Sequence, residues 1–409
     1  MVDFTISDEL QLTINGLLQF IEREVVPLER NNQALLDDGH ATYQPDGRLV
    51  PEVVELYRRV RAAASRAGYY TLMVPEDLGG GGQGPLTLFL IWEALYHHAG
   101  PARHLPYQAV AHWATGPSAI LRHVTPEVRA RVLPQLMSGE HFSCFALSEP
   151  DAGSDVWSMK TRAVRDGDDW VINGSKQWIS YSPYAEHALL FAVTDPAMQA
   201  QRKGGVSCFL VDTASPGFSV DSVIRLFGHV GGMEGILSFT DLRVPADRLV
   251  GELHQGFRLA LAGVNNGRLY NAARAVGLGR WAIERAAEYA KQRVAFGHPI
   301  AEYQGVQWLL ADSAMEIYAA RTMSIHCAWK LERGEQAVKE VAMVKAFSTE
   351  AGFRAIDRCI QAFGGMGLTN EVKLYDALHQ LRIVRIADGS QEIMRRTIAH
   401  RLLNGDVGF

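Results

Sequence analysis

The sequence predicts an α+β protein in which a helical domain, a small β-barrel or sandwich domain and a second helical domain follow one another. Three observations predict this order. Apolar residues repeat with a helical period up to about residue 139, short β-rich runs alternate with turn residues up to about residue 250, and the helical period then returns. We place the domains at residues 1–141, 142–252 and 253–409. The length of 409 residues allows two or three domains.

The predicted helices rest on apolar spacing and on capping residues. Between Pro51 and Arg66 the apolar side chains recur close to the helical period. A later helix has Thr125 as its N-cap, Pro126 at its first position and Gly139 just beyond its end. The glycine run that starts at Leu78, LGGGGQGP, predicts a mobile loop between these two helices. Further helices are predicted over residues 281–293, 304–332, 337–363 and 391–403.

The central segment consists of short β-rich runs separated by turn residues. The runs are CFAL, WVING, ALLFAV, VSCFLV, FSVDSVI and ILSF. Their separators, such as RDGDD, TDP and ASPG, contain residues that favour turns, and the runs recur roughly every ten residues. This spacing predicts a small barrel or sandwich of antiparallel strands.

Charge and composition exclude several classes of protein. The 40 basic and 45 acidic residues give a net charge of −5, which argues against a nucleic-acid or membrane-surface binder. No apolar run approaches the ~20 residues needed to span a bilayer, and the first residues lack the basic segment of a signal peptide. The four cysteines show no C-x-x-C spacing, which indicates a reducing compartment without a zinc site. We therefore expect a cytoplasmic protein without a metal.

Generic motifs exclude several classes of enzyme. The sequence has no G-x-x-x-x-G-K-[ST] phosphate loop, no H-E-x-x-H zinc motif and no G-x-S-x-G nucleophile elbow. The run FGGMG at Phe363 follows a predicted helix instead of a strand, which excludes a Rossmann site. The pair His97 and His98 lacks further ligands at metal-binding spacing, so a packing or surface role is favoured.

Three segments carry residues suited to a flat cofactor with phosphates. In FALSEPDAGSD, which begins at Phe145, a strand breaks into a turn rich in hydroxyls and backbone donors. In NGSKQWIS, a hairpin turn at Asn173 is predicted to lead into a strand that carries Trp178 as an aromatic plate. In QAFGGMG, which begins at Gln361, glycines let a diphosphate approach the backbone. Taken singly, each segment also has an ordinary interpretation, as a hydroxyl-capped turn, a hairpin turn or a helix C-cap.

Together, and in this order, these segments resemble motifs of the acyl-CoA dehydrogenase superfamily. The run RVAFG at Arg293, with Gln304 eleven residues further on, resembles another motif, and IADGSQEI at Ile386 resembles the segment of the catalytic carboxylate. The resemblance covers essentially the whole chain. It implies a helical N-terminal domain, a central β-domain and a C-terminal four-helix bundle. It also implies FAD, bound between the β-domain and the bundle and completed by a neighbouring subunit of a homotetramer or homodimer.

The resemblance implies a role for each matching residue. Phe145, Leu147 and Ser148 match positions that line the isoalloxazine ring, and Trp178 and Ser180 match the aromatic plate and a hydroxyl near flavin N5. The positions that match contacts to the rest of FAD are Gly153, Ser154, Arg293, Phe296, Gln304, Gln361, Gly364, Gly365, Ser390 and Glu392. The positions that match substrate contacts are Ser154, Arg268 and Gly389. A surface salt bridge is the ordinary alternative for Arg268.

The reaction implied by the resemblance is α,β-dehydrogenation of an acyl-CoA thioester. A carboxylate removes the α-proton while the β-hydrogen leaves as hydride to flavin N5. Asp388 stands where the family usually has glutamate, and Gly267 stands at the other position known to host the base. Asp388 is therefore the candidate base. Its side chain is shorter by one methylene, and a misplacement of ~1 Å can lower a rate about a hundredfold.

The aspartate leaves more than one reaction open. Some acyl-CoA dehydrogenases of branched or otherwise unusual acyl groups use aspartate, and nitroalkane oxidases use it to deprotonate a small carbon acid without CoA. A flavin monooxygenase of the same superfamily and a non-enzymatic binding role are further alternatives. Arg268 and Ser154 favour the dehydrogenase, for which electron-transferring flavoprotein is the implied acceptor. Asp388 is also a candidate N-cap of the following helix.

Overall fold

The structure is a computed structural model that describes residues 5–101, 105–226 and 232–408. Seven helices precede the first strand in the described residues, and a π-helical turn at Ile21–Val25 separates the first two. They are α1 (Asp8–Phe20), α2 (Val26–Asn31), α3 (Gln33–Asp37), α4 (Gly39–Thr42), α5 (Pro51–Arg66), α6 (Pro85–Ala99) and α7 (Pro126–Ser138).

The central part of the chain forms an eight-stranded mixed sheet in the described residues. Its strands are β1 (Ser143–Ala146), β2 (Arg162–Asp166), β3 (Asp169–Ser180), β4 (His187–Val193), β5 (Val206–Asp212), β6 (Phe218–Ile224), β7 (Glu234–Pro245) and β8 (Leu249–Val250). The strand order is β6-β7-β3-β2-β4-β5-β8, and β1 pairs with β4. A short helix, α8 (Pro196–Ala200), lies between β4 and β5 in the sequence.

The remainder of the described chain is almost entirely helical. Its elements are α9 (Gly256–Gln292), a two-stranded hairpin of β9 (Val294–Ala295) and β10 (His298–Pro299), α10 (Gln304–Glu332), α11 (Val338–Phe363), α12 (Leu374–Val384) and α13 (Gln391–Leu403). Helix α11 packs against α10, α12 and α13. None of the helices in the described ranges is both long enough and apolar enough to cross a bilayer.

The chain divides into two compact units. The first contains residues 1–23, 84–106 and 265–409, and the second contains residues 24–83 and 107–264. The core of the second unit buries side chains from one face of β4 and β5 and from α7, such as Leu136, Phe191 and Leu210. Full burial of one such side chain contributes roughly 1.5–3 kcal/mol. The domain boundaries at residues 141 and 252 stay a prediction.

The predicted order of helical, β and helical segments is confirmed. Helix α5 spans the predicted residues, and α7 begins after the Thr125 cap, whose hydroxyl accepts a hydrogen bond from the Val128 N–H. Gly139 ends α7 in the left-handed conformation that glycine adopts without strain. Helices α10 and α13 have the predicted bounds, and α11 begins one residue later than predicted.

Three local predictions are wrong. The Asn173–Gly174 pair is no hairpin turn, because β3 continues through it with an irregularity in its pairing to β7. The sheet is not purely antiparallel, because β1 and β2 both pair with β4 in parallel. The glycine run after Leu78 is not a loose loop, because four consecutive N–H groups, from Gly80 to Gln83, donate to backbone carbonyls. A Cβ at Gly80 would lie 2.2 Å from the Val74 carbonyl oxygen, so the close packing requires glycine there.

Candidate active site

The first two predicted motifs lie side by side in the second unit. The Gln177 N–H on β3 donates to the Ser148 carbonyl at 2.9 Å, just after the end of β1. The Lys176 ammonium donates to the Leu147 carbonyl at 2.9 Å. These bonds fix the backbone next to Leu147, Ser148 and Trp178, which the sequence analysis assigns to one binding site.

A buried ion pair joins the same two motifs. Lys176 Nζ lies 2.8 Å from Glu149 Oε1, and the two side chains are 0% and 4% exposed. The Glu149 carboxylate also accepts hydrogen bonds from the backbone N–H groups of Lys160 and Thr161. Glu149 therefore ties together the segments that carry both motifs and the start of β2.

The environment keeps this pair ionised at neutral pH. Burial disfavours the Glu149 carboxylate, but the charge of Lys176 and the hydrogen bonds outweigh it and lower the Glu149 pKa. Burial lowers the pKa of Lys176 to about 8, although Glu149 opposes that shift. Because the Glu149 pKa is lowered on folding, its stabilising contribution is present above the ordinary value of 4.5 and is lost as pH falls through the lowered pKa.

Trp178 lies at an irregularity of β3. The pairing with β7 shifts register between Lys176 and Ile179, and Trp178 has a φ of +65°. An aromatic residue in this left-handed region is strained, and such strain concentrates at functional sites. The bulge leaves the indole 52% exposed, although the neighbouring Ile179 is buried. The ring is therefore available to cover a flat ligand.

The other predicted residues of this unit differ in exposure. Phe145, Leu147, Ser148 and Ser180 are half-buried, and the Phe145 ring contacts Trp113 and Phe191. Gly153 and Ser154 are exposed, and a Cβ at Gly153 would meet open space. Gly153 and Ser154 are thus accessible to a ligand, as a phosphate contact requires.

Asp388 lies in the turn between α12 and α13, in the first unit. It has a φ of +55°, which aspartate tolerates better than most residues, and Gly389 has a φ of +99°. The φ of Gly389 would strain any other residue, so this position favours glycine. The alternative that Asp388 caps α13 is wrong, because the Ser390 hydroxyl accepts the capping bond from the Ile393 N–H. The Asp388 carboxylate is left for another role.

Two residues of α9 hold Asp388 from one side. The Asn271 amide donates to Asp388 Oδ2 at 2.8 Å, and Arg268 Nε donates to the Asp388 carbonyl at 3.0 Å. Arg268 also donates to the side chain of Asn265. Arg268 is half-buried and forms no surface salt bridge among the described residues, so its ordinary alternative is wrong.

A buried lysine of α11 holds the same turn from the other side. Lys345 is fully buried and donates to the carbonyls of Arg385 at 3.3 Å and Gly389 at 2.5 Å. Burial lowers the Lys345 pKa to about 8, while the negative charge of Asp388 opposes this shift. Lys345 therefore binds both ends of the turn in which Asp388 lies.

The pKa of Asp388 is shifted in the direction that a base requires. Burial raises the pKa of its carboxyl above the ordinary value, and this effect exceeds the opposing influence of the Asn271 hydrogen bond and of the Lys345 and Arg268 charges. A carboxylate with a raised pKa binds a proton more strongly and is a better general base near neutral pH. Burial also lowers the pKa of Arg268.

The motif that begins at Arg293 and the motif that begins at Gln361 lie near each other in the first unit. The rings of Tyr289, near the end of α9, and Phe363, at the end of α11, stack with their centroids 4.3 Å apart. The Arg293 N–H donates to the Tyr289 carbonyl, so the start of this motif is tied to the helical turn that carries the stacked Tyr289 ring. Phe296, in the β9–β10 turn, is 96% exposed. The remaining predicted residues of these motifs are also exposed, namely Arg293, Gln304, Gln361, Gly364 and Gly365.

Four side chains that build these sites were not predicted from the sequence: Glu149, Lys176, Asn271 and Lys345. A signal existed for two of them. Strand alternation places Lys176 on the same face as Trp170 and Ile172, which are both buried. Asn271 is a polar residue in an apolar stretch of helix, three positions after Arg268 and therefore on the same helical face. Glu392, which the resemblance assigns to FAD, is exposed on the first turn of α13.

Comparisons with known proteins agree with the motif order. Models of the N-terminal, middle and C-terminal domains of acyl-CoA dehydrogenases match residues 8–140, 144–242 and 254–403. The chain is 35% identical over 361 residues to an acyl-CoA dehydrogenase of Bacillus subtilis, covering 88% of this chain and 94% of the relative. It is 30% identical to the cyclohexane-1-carbonyl-CoA dehydrogenase of Geobacter metallireducens, covering 98% and 99%. A solved FAD complex of PigA has a TM-score of 0.85 at 25% identity, covering 99% and 100%.

The buried pair yields a stability prediction. Lys176→Met should leave the Glu149 carboxylate buried without its cation and should lower the free energy of unfolding by ~3–5 kcal/mol. The matched control is Lys160→Met, whose ion pair with Asp151 is exposed and should contribute little. Thermal unfolding of both variants checks this, and equal melting temperatures for the two would show that the pair does not hold the motifs together.

Proposed function

The chain belongs to the acyl-CoA dehydrogenase family of oxidoreductases, and on that premise we propose that it dehydrogenates an acyl-CoA thioester with Asp388 as the base. The observation that carries this proposal is the half-buried carboxylate of Asp388 in the turn bound by Arg268 and Lys345. Its raised pKa suits proton abstraction, and its place in the chain matches the family's catalytic segment.

FAD is the cofactor in this proposal, and the residues present suit it. The half-exposed indole of Trp178 offers a flat apolar surface beside the half-buried Leu147 and Ser148. Gly364 and Gly365 are exposed, and a Cβ at either would meet open space, so the backbone there is accessible to a phosphate. The Arg293 guanidinium is exposed and suited to phosphate oxygens. When bound, FAD supplies the acceptor for the β-hydrogen as hydride at N5.

The protein's own residues perform the acid–base part of the reaction. In water, an ordinary carboxylate is too weak a base to remove the α-proton of a thioester. The pKa of the base must therefore be raised, and its carboxylate must be held close to the proton. Burial of Asp388 does the first. The hydrogen bonds to its turn, from Arg268 and Lys345, support the second.

We further propose that the acyl group is branched or otherwise unusual. Aspartate is shorter than glutamate and leaves more room near the α-carbon, and the adjacent Ala387 is small. One relative at 30% identity is named for cyclohexane-1-carbonyl-CoA, in which the α-carbon belongs to a ring. A straight chain does not need the extra space, whereas a substituted α-carbon does.

The proposal includes a homo-oligomer, a tetramer or a dimer, with part of each FAD site completed by a neighbour. Exposed apolar side chains support this proposal. Single exposed apolar residues are common, but several on one face of a helix indicate a surface that binds another protein. Helix α10 carries Trp308, Met315 and Tyr318 within one stripe, and Phe296 is almost fully exposed. Electron-transferring flavoprotein is the proposed electron acceptor.

A cytoplasmic location is also proposed. All four cysteines are buried and none forms a disulfide. Burial raises the pKa of each thiol, which keeps the thiols protonated. Unpaired thiols of this kind suit a reducing compartment.

An anaerobic titration tests the substrate class. Purified flavoprotein is mixed with butyryl-CoA, isobutyryl-CoA, cyclohexane-1-carbonyl-CoA and 1-nitropropane, and loss of the oxidised-flavin absorbance is recorded. We expect at least one acyl-CoA to bleach the flavin, and isobutyryl-CoA and cyclohexane-1-carbonyl-CoA to bleach it more completely than butyryl-CoA. The nitroalkane should not bleach it. The matching N-acetylcysteamine thioester is the control for the CoA portion. Bleaching by 1-nitropropane alone, or turnover with oxygen as fast as with an artificial acceptor, would instead indicate an oxidase.

A variant of Arg293 tests the shared cofactor site. Arg293→Ala should remove a charged phosphate contact, weaken FAD binding roughly tenfold to a hundredfold and loosen the assembly. Arg333→Ala is the control, because Arg333 is also exposed but belongs to none of the motifs. Light scattering coupled to gel filtration, with flavin absorbance per chain, measures both effects. A monomeric Arg293→Ala variant with full flavin content would contradict the shared site.

A further inference from the structure

We propose that Asn271 is a positioning residue for the base: its amide holds one carboxylate oxygen of Asp388 and leaves the other to take the proton. This inference rests on the proposed function, because it assigns a role relative to Asp388 as the base. It identifies a residue of α9 that belongs to none of the predicted motifs.

The contact itself is short, and its donor is buried. Asn271 Nδ2 lies 2.8 Å from Asp388 Oδ2, and Asn271 is 3% exposed. Among the described residues, Asn271 is the side chain that donates to this carboxylate, and Oδ1 accepts no hydrogen bond. Separating the two side chains would leave a buried N–H donor without an acceptor, which costs free energy. The hydrogen bond is therefore strongly favoured.

The charged groups around Asp388 make other contacts. Arg268 of α9 donates to the Asp388 carbonyl and to Asn265, and Lys345 of α11 donates to the carbonyls of Arg385 and Gly389. A direct ion pair would favour the ionised carboxylate strongly and make it a weaker base. A neutral amide fixes the carboxylate with a smaller effect on its basicity. Glu392 and Arg385 complete the charged surroundings through their interactions with Lys345.

The amide also bears on the shorter reach of aspartate. Asp388 is held by its backbone in a left-handed turn, so only its side-chain torsions remain to aim the carboxylate. A hydrogen bond to one oxygen removes most of that freedom. Because a misplacement of ~1 Å can lower a rate about a hundredfold, such orientation matters for a base without spare length.

The test replaces the amide by an apolar side chain of similar shape. Asn271→Leu removes a hydrogen bond that favours the ionised carboxylate, so the Asp388 pKa should rise. Flavin reduction by an acyl-CoA requires the ionised base, so the acidic limb of its pH profile should move to higher pH. At neutral pH the reduction rate should fall by up to roughly tenfold, the worth of one hydrogen bond. At high pH the rate should recover only in part, because the ionised carboxylate is still no longer held in its orientation.

Two further variants separate positioning from general damage. Gln380→Leu removes a different buried amide, which contacts Arg274 of α9 and the Pro101 carbonyl. It should lower the melting temperature without moving the pH midpoint. Asn271→Asp keeps the shape of the side chain but places a second carboxylate beside the first, and it should move the limb to still higher pH.

An infrared measurement on the FAD-loaded protein supplies a readout that needs no turnover. The band of the protonated Asp388 carboxyl, identified by its loss in Asp388→Asn, should titrate at higher pH in Asn271→Leu than in the wild type. An unchanged midpoint in both the infrared titration and the pH profile would overturn the role of Asn271. Failure of every acyl-CoA to reduce wild-type flavin would instead refute the proposed substrate, and the infrared result would still decide the Asn271 contact.

Discussion

A half-buried carboxylate that serves as a base must be supported by its surroundings and still be free to accept a proton. The turn around Asp388 meets both requirements by giving its cations other partners. Arg268 and Lys345 bind backbone carbonyls of the turn, and the carboxylate receives a neutral amide. Burial then determines the direction of the pKa shift, and the Asp388 pKa rises. The positive charges limit this rise without forming an ion pair that would suppress basicity.

The residues assigned to the flavin ring depend on a different kind of interaction. Glu149 and Lys176 form a buried ion pair in which each partner also bonds backbone groups, and this pair fixes the segment after β1 against β3. Such a pair gives little net stability compared with an apolar substitute, but the loss of one partner is costly. Its main effect is therefore geometric. It determines where the backbone at Ser148 and the bulge at Trp178 lie.

The sequence was sufficient for the features that depend on local chemistry. Thr125, Pro126 and Gly139 define the ends of α7 because capping and glycine conformation act within a few residues. The Asn173–Gly174 pair misled for the same reason. The pair favours a turn locally, but in β3 it lies opposite β7 and close to Thr161, with which a Cβ at Gly174 would clash at 2.5 Å. That contact between distant residues is not visible in the local sequence.

In the candidate site, too, some residues could be predicted from the local sequence and others depend on contacts between distant parts of the chain. Asp388, Arg268 and Gly389 were predicted from one resemblance, and the structure brings the three together. Asn271 and Lys345 were not predicted, because their partners lie 117 and 44 residues away along the chain. A buried polar side chain acquires a role only when the fold supplies its partner.

The most direct measurement of the central claim is single-turnover reduction of the flavin by stopped flow in Asp388→Asn. The acyl-CoA that reduces the wild type fastest is used, and flavin content and ligand binding are measured on the same preparation. Asparagine keeps the shape of the side chain and removes the proton acceptor. We expect FAD and ligand to bind nearly as in the wild type while the reductive step slows by ~10²–10⁴. Reduction at the wild-type rate would contradict the role of Asp388 as the base.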